Sequence, residues 1–137
     1  MSIERFGVSM DSGLLERFDR KTRDAGYGAR SEAIRDIVRD YLVRQEWRTG
    51  EGTVVGTLTL VYDHHARELQ SRLTEQQHDH QDVVLCTTHV HLDHHNCLEV
   101  IVLRGAAGEV RQLANSLISL KGVKHGELVC TATVSDI

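Results

Sequence analysis

Apolar positions along the chain change period several times, and each change marks an element. Phe6, Val8 and Met10 alternate with Arg5, Gly7 and Ser9, the period-two pattern of a half-buried strand. Leu14, Leu15 and Phe18 then share one helical face, with Gly26 as the C-terminal cap. Tyr27-Gly28-Ala29-Arg30 reads as a turn. Ser31 is placed to cap a second helix, with Glu32 in its first turn. Ala33, Ile34, Ile37, Val38, Tyr41 and Leu42 recur at helical spacing and carry that helix to the neighbourhood of Trp47. Thr49-Gly50-Glu51-Gly52 reads as a linker.

Beyond the linker the pattern reads strand over Thr53–Tyr62 and helix around Ala66, Leu69 and Leu73. Strands follow over Val83–Leu92 and Cys97–Leu103, joined by a tight polar turn. Val110, Leu113, Leu117 and Leu120 mark another helix after Gly105 and Gly108, and Val123–Val134 is a last strand. The order β-α-β-β-α-β is the ferredoxin-like supersecondary pattern. The fold class expected is α+β: a β-α-α unit over residues 1–48 and the ferredoxin-like unit over 53–137.

One strand and two helices cannot bury their own apolar faces in so few residues, and an exposed strand invites pairing with another chain. The economical solution is a dimer in which two N-terminal strands form an antiparallel ribbon. Phe6, Val8 and Met10 would then face the helices, and Arg5 and Ser9 would face outward. A two-stranded ribbon fits the major groove of double-stranded DNA. Arg5 suits guanine edges and Ser9 a base edge or phosphate. The helix start near Ser31 offers free backbone N–H groups to a phosphate.

Composition adds limits. The 137 residues carry a net charge of −4, so total charge does not advertise nucleic acid. The first half is nonetheless close to neutral, and its basic residues are almost all Arg, which suits phosphate and base contacts better than Lys. No signal peptide or membrane-length apolar run is visible. Three cysteines without disulfide spacing suit a reducing cytoplasm.

The chemistry concentrates in a histidine–cysteine cluster. Two histidines at i and i+2, His89 and His91, share one strand face about 7 Å apart. A turn over Asp93–His95 brings Cys97 opposite His91 and Glu99 opposite His89, so three ligand atoms can converge on a transition-metal ion. A metal carrier without DNA binding is the alternative, but it has no need of Arg5 and Ser9 beside a two-helix unit. A metalloenzyme is disfavoured, because no nucleophile–base pair stands out and four protein ligands leave a planar site no open position.

Arg5-Phe6-Gly7-Val8-Ser9-Met10, Leu14-Leu15, Gly26-Tyr27 and Arg30-Ser31-Glu32-Ala33-Ile34-Arg35-Asp36 resemble the ribbon-helix-helix DNA-binding proteins. His78, Thr88-His89-Val90-His91, Cys97-Leu98-Glu99 and Gly122-Val123-Lys124-His125-Gly126 narrow the resemblance to the nickel-responsive transcriptional regulators. It covers essentially the whole chain. It implies an ACT-like metal-binding domain and a square-planar Ni(II) site, one per subunit. The ligands would be His89, His91 and Cys97 of one subunit and His78 of a facing subunit. It further implies a homotetramer built as a dimer of dimers, an operator in double-stranded DNA, and control of nickel uptake genes. Arg67 matches a phosphate contact, although a solvated helix Arg reads equally well. Glu32 and Asp36 match a second cation site, completed by backbone carbonyls near Ile118, Leu120 and Val123. Gly7 departs from the pattern, standing where a hydroxyl residue is common, so only Arg5 and Ser9 remain as readers on the strand.

Other residues have no settled place. Glu99 is expected either to orient a ligand imidazole or to be a solvated carboxylate. His64 and His65 read as the start of a helix, with a weaker secondary metal site as the alternative. His94 and His95 read as solvated turn residues, and His80 stays unassigned. Cys86 has opposite parity to His89 and His91, so it should point away from the site into the core; Cys130 is expected in the core as well.

Overall fold

A computed structural model describes residues 2–50 and 52–132. Its elements are α1 (Ser12–Asp24), α2 (Arg30–Thr49), β1 (Thr53–Asp63), α3 (Arg67–Asp79), β2 (Val84–His91), β3 (Asn96–Ala106), α4 (Ala107–Ile118) and β4 (Val123–Ala132). The chain divides into two compact units between Asp40 and Tyr41, inside α2.

In the N-terminal unit, Asp11 caps α1 by accepting the Leu14 N–H at 3.1 Å. The helix closes on Ala25, and Gly26 follows with φ +96°, the left-handed conformation that ends many helices and suits glycine. Ser31 is the second residue of α2 rather than its cap, because the helix already begins at Arg30. The segment 2–10 forms no strand within the single chain. A lone strand has no ladder partner, and Ile3, Phe6, Val8 and Met10 stand exposed. Arg30 makes a two-point ion pair with Asp19, at 2.9 and 2.8 Å.

The C-terminal unit is a four-stranded sheet in the order β2-β3-β1-β4, every pairing antiparallel. This is the topology that β-α-β-β-α-β units adopt. Burial alternates along β1 and β3, as period-two side chains on a sheet with one covered face require. Leu58, Leu60 and Tyr62 from β1, Ile101 and Leu103 from β3, Leu69 and Leu73 from α3, and Val110, Leu113 and Leu117 from α4 make the core. Trp47, at the end of α2, joins them and donates its ring N–H to the Thr131 carbonyl at 2.9 Å. Gly126 lets β4 approach the end of α4, since a Cβ there would meet Ile118 Cγ1 at 2.5 Å.

Both remaining cysteines depart from the expected core positions. Cys86 lies opposite Val102, on the sheet face that no helix covers, and is exposed. Its parity does turn it away from His89 and His91, but the face it joins is the open one. Cys130 is exposed because it sits on β4, an edge strand.

Candidate metal centre

Strand pairing assembles the site in rows. Cys97 on β3 lies between Tyr62 on β1 and His91 on β2, and Glu99 lies between Leu60 and His89. The expected register of the β2–β3 hairpin is therefore present, with His91 opposite Cys97 and His89 opposite Glu99. Tyr62, Cys97 and Glu99 belong to the buried side of the sheet.

His64 completes a cluster that the hairpin alone does not make. It stands in the turn after β1, ahead of α3 rather than at its start. Its backbone N–H donates to the His95 carbonyl at 2.7 Å, which ties this turn to the β2–β3 turn. The ligand atoms of His64, His91 and Cys97 all lie within 4.8 Å of one another. His64 Nδ1 is 3.2 Å from Cys97 Sγ, and His91 Nδ1 is 3.6 Å from it. With metal–nitrogen bonds near 2.0–2.1 Å and metal–sulfur bonds near 2.3 Å, N···S distances on one ion are about 3.1 Å at a right angle and about 3.6 Å at a tetrahedral angle. The triad already has the spacing of a single ion's ligands.

His89 stands beside this triad, its ring centroid 4.9 Å from that of His91. Its Nδ1 lies 3.0 Å from Tyr62 Oη. Burial, reinforced by the neighbouring Glu99 and Cys97, pushes the Tyr62 phenol up to about 12, so the hydroxyl stays neutral at any physiological pH. Metal binding through Nε2 of His89 requires Nδ1–H to donate to that phenol oxygen, which fixes tautomer and ring direction together.

The electrostatics are those of a site that gains from a cation. Burial raises the Cys97 thiol above its ordinary value, with Asp93 and Glu99 acting in the same direction. Glu99 is 8% exposed, and its Oε2 has no hydrogen-bond partner. Burial raises its carboxyl, against a hydrogen bond from Gln77 and the nearby His89. A buried carboxylate oxygen without a donor is costly. A divalent ion on the adjoining imidazoles and thiolate supplies the missing positive charge, so the donor set fits a transition metal. Gln77 also accepts the Thr87 hydroxyl at 2.6 Å, so one side chain links α3 to the carboxylate beside His89.

His78 stands apart from the triad. It lies on the last turn of α3, exposed, with Nδ1 accepting from the Gln81 side-chain amide at 2.8 Å.

The other candidate residues occupy their own units. Arg5 and Ser9 are exposed in the segment before α1, and Ser31 is exposed in the first turn of α2. Arg67 begins α3. Glu32 and Asp36 follow each other along α2, but Asp36 is already engaged: Tyr27 Oη donates to it at 2.6 Å and Arg39 at 3.0 Å. Those donors hold its carboxyl below the ordinary range and relieve the like-charge contact expected from the spacing. In the C-terminal unit, the Leu120 carbonyl accepts the Val123 N–H at 3.1 Å.

Two residues of the site escape the sequence reading. His64 is far from His89 in the chain, and its proximity depends on β1 lying next to β3. Tyr62 is visible only as the last inward position of β1, which is a weak signal.

A ferredoxin-like unit carrying a thiolate–imidazole cluster, preceded by a two-helix unit with an unpaired apolar strand segment, defines a metal-sensing regulator as a class. The comparisons agree. Residues 4–45 match the ribbon-helix-helix proteins of the copG family, and residues 55–131 match the NikR C-terminal nickel-binding domain. Proteins named as nickel-responsive regulators are similar along their whole length. The one from Nitratidesulfovibrio vulgaris is 57% identical over 97% of this chain and 96% of its own, and the one from Geobacter sulfurreducens has the same identity and coverage. That from the archaeon Thermococcus onnurineus is 53% identical over the same shares. Among solved structures, an uncharacterized protein from Thermotoga maritima superposes with a TM-score of 0.52 at 16% identity, over 58% of this chain and 98% of its own, a likeness of fold alone. The chain belongs to the nickel-responsive regulator family. It is a transcriptional regulator by family and not an enzyme.

Proposed function

We propose that the protein is a cytoplasmic repressor of nickel uptake genes that binds its operator when loaded with Ni(II). Residues 1–48 act as the DNA-binding module and residues 53–137 as the nickel-binding and tetramerisation module. The observation that carries this reading is the spacing of imidazole nitrogen and thiol sulfur around Cys97. It occurs in a chain whose other end matches a DNA-binding family.

In this reading His89, His91 and Cys97 hold one Ni(II) per subunit, and His78 of the facing subunit supplies the fourth ligand of a square plane. The exposed place of His78 at the end of α3 suits a ligand offered across an interface. His64 then stands next to the plane, close enough to Cys97 to replace a ligand when the geometry changes. Glu99 and Tyr62 orient the His89 imidazole. Nickel supplies a fixed cross-link between subunits, and Gln77 carries the settled position of the ligands into α3. The open sheet face bearing Val129 and Cys86 suits burial in a homotetramer built as a dimer of dimers.

On the DNA side, paired N-terminal segments would form the ribbon, with Arg5 and Ser9 reading the major groove. Ser31 and Arg67 would contact phosphates. Glu32 and Asp36 would hold the second cation, for which Asp36 must give up its bonds to Tyr27 and Arg39.

The test is a gel-shift titration on the protein's own upstream DNA with and without Ni(II), repeated for His89→Ala and Cys97→Ala. Nickel-dependent binding by the wild type and its loss in both variants is the expected result. Equal binding without metal ends the regulator mechanism.

A further inference from the structure

The nickel site accounts for only part of a longer run of imidazoles. The turn after β1 and the turn between β2 and β3 lie side by side because Asp63 pairs with Asn96 at the ends of their strands. Each turn is stiffened by its own aspartate. Asp63 Oδ1 accepts the His65 N–H at 2.9 Å, and Asp93 Oδ1 accepts the N–H groups of His95 at 2.7 Å and Asn96 at 2.8 Å. The His64 N–H to His95 carbonyl bond then joins the two turns at 2.7 Å. His65 and His95 are therefore carried on a braced frame, although both side chains are exposed.

Their ring centroids are 5.5 Å apart. An imidazole centre lies roughly 3.1 Å from an ion bound at its nitrogen, so two rings on one ion stand about 4.4–6.2 Å apart as the angle opens from a right angle to a straight line. The pair falls inside that window. His64 is 5.4 Å from His65 on one side and 5.0 Å from His91 on the other, within the same window, and its Nδ1 is 3.2 Å from Cys97 Sγ. Imidazoles thus run from solvent to the buried thiol without a gap larger than one shared ion can span. Two neutral nitrogens without a thiolate bind such an ion more weakly than the inner set does. Transfer inward along the run is downhill.

We propose that His65 and His95 form an outer station for a divalent transition-metal ion, and that His64 passes the ion from there to Cys97 and His91. The inference rests on the nickel-site reading above, and its test separates the two. The full-length protein and a His65→Asn/His95→Asn double variant are titrated with Ni(II) alone. Bound metal per chain is counted by equilibrium dialysis, and loading is followed by the thiolate-to-nickel absorption band after rapid mixing at limiting metal. Both substitutions are at exposed positions, and matching circular dichroism of the metal-free proteins checks the fold. The wild type is expected to bind a second, weaker nickel per chain. The double variant should lose that nickel, reach the same final absorption band and reach it severalfold more slowly. Identical nickel counts and loading rates in the two proteins overturn the outer station. Loss of the second nickel with unchanged loading overturns the transfer. A wild type that never develops the thiolate band instead overturns the inner site on which the inference rests.

Discussion

The two units of the chain solve the problem of burial in opposite ways. In the C-terminal unit a sheet and helices enclose Leu58, Leu60, Ile101, Leu103, Val110 and Leu117, all without exposed surface. In the N-terminal unit α1 has no buried residue. Phe6 is 75% exposed, Val8 67% and Ile37 53%. Apolar side chains of that size are not left in water by a soluble protein without a reason. One unit completes its core from its own sequence. The other leaves it to be completed, which suits a module whose output requires two copies on one DNA site. The sensor can thus be a folded object at any concentration, whereas the reader is tied to assembly.

Stability measurements can break this contrast. Leu58→Ala removes a side chain from the closed core and is expected to destabilise the C-terminal unit by about 2–5 kcal/mol. Urea unfolding followed at the single tryptophan, Trp47, reads that unit directly, since the residue is part of its core. The loss should not change with protein concentration. Phe6→Ser should act differently. Burying a Phe side chain stabilises by about 1.5–3 kcal/mol, so removing it from a paired ribbon weakens association. The unfolding signal of α1 and α2, read by circular dichroism, should then shift strongly with protein concentration. The Trp47 transition should stay in place. If Phe6→Ser leaves association untouched, the N-terminal unit does not use this segment to complete its core.

The same contrast explains what the sequence made legible. The register of His91 with Cys97 and of His89 with Glu99 follows from local facts: two short strands, one tight turn and a period of two. Sequence distance hides His64, whose place depends on β1 lying beside β3 rather than β2. Cys86 shows the complementary failure. Its parity is readable, but which sheet face the helices cover is not, and the residue falls on the open one. Ser31 misses the cap position by two residues because helix starts are decided by neighbouring backbone bonds as much as by the residue's own preference. The N-terminal strand is a different matter, since a strand is defined by its partner and the partner is another molecule.

A smaller effect tests how closely the sensor is held for its ligand. Tyr62→Phe removes only the hydroxyl that meets His89 Nδ1. The ring still fills the core, so folding stability should fall by no more than about 0.5–1.5 kcal/mol. Nickel affinity should fall further than stability does, because the His89 ring loses its directing partner. Calorimetric titration with Ni(II) beside urea unfolding measures both. Equal small losses in the two would mean that Tyr62 is a core residue only.

Glu99 gives the most delicate test, because its effect depends on pH. Burial raises its carboxyl in the folded state above the ordinary carboxylate value. The folded protein therefore favours the protonated form more than the unfolded chain does. The stabilising contribution is complete below the unfolded value, near pH 4, and is lost as pH rises through the folded value. In metal-free protein, Glu99→Gln keeps a neutral hydrogen-bonding side chain at every pH. Its urea midpoint should fall less than that of the wild type between pH 4 and neutrality, as about one deprotonation is removed from the balance. Nickel should reverse the order, since the ion favours the charged carboxylate beside His89 and the variant has no charge to offer. If the two proteins lose stability in parallel over this range, the lone Oε2 of Glu99 has found another partner in solution. The cation would then be drawn to the site by Cys97 and the histidines alone.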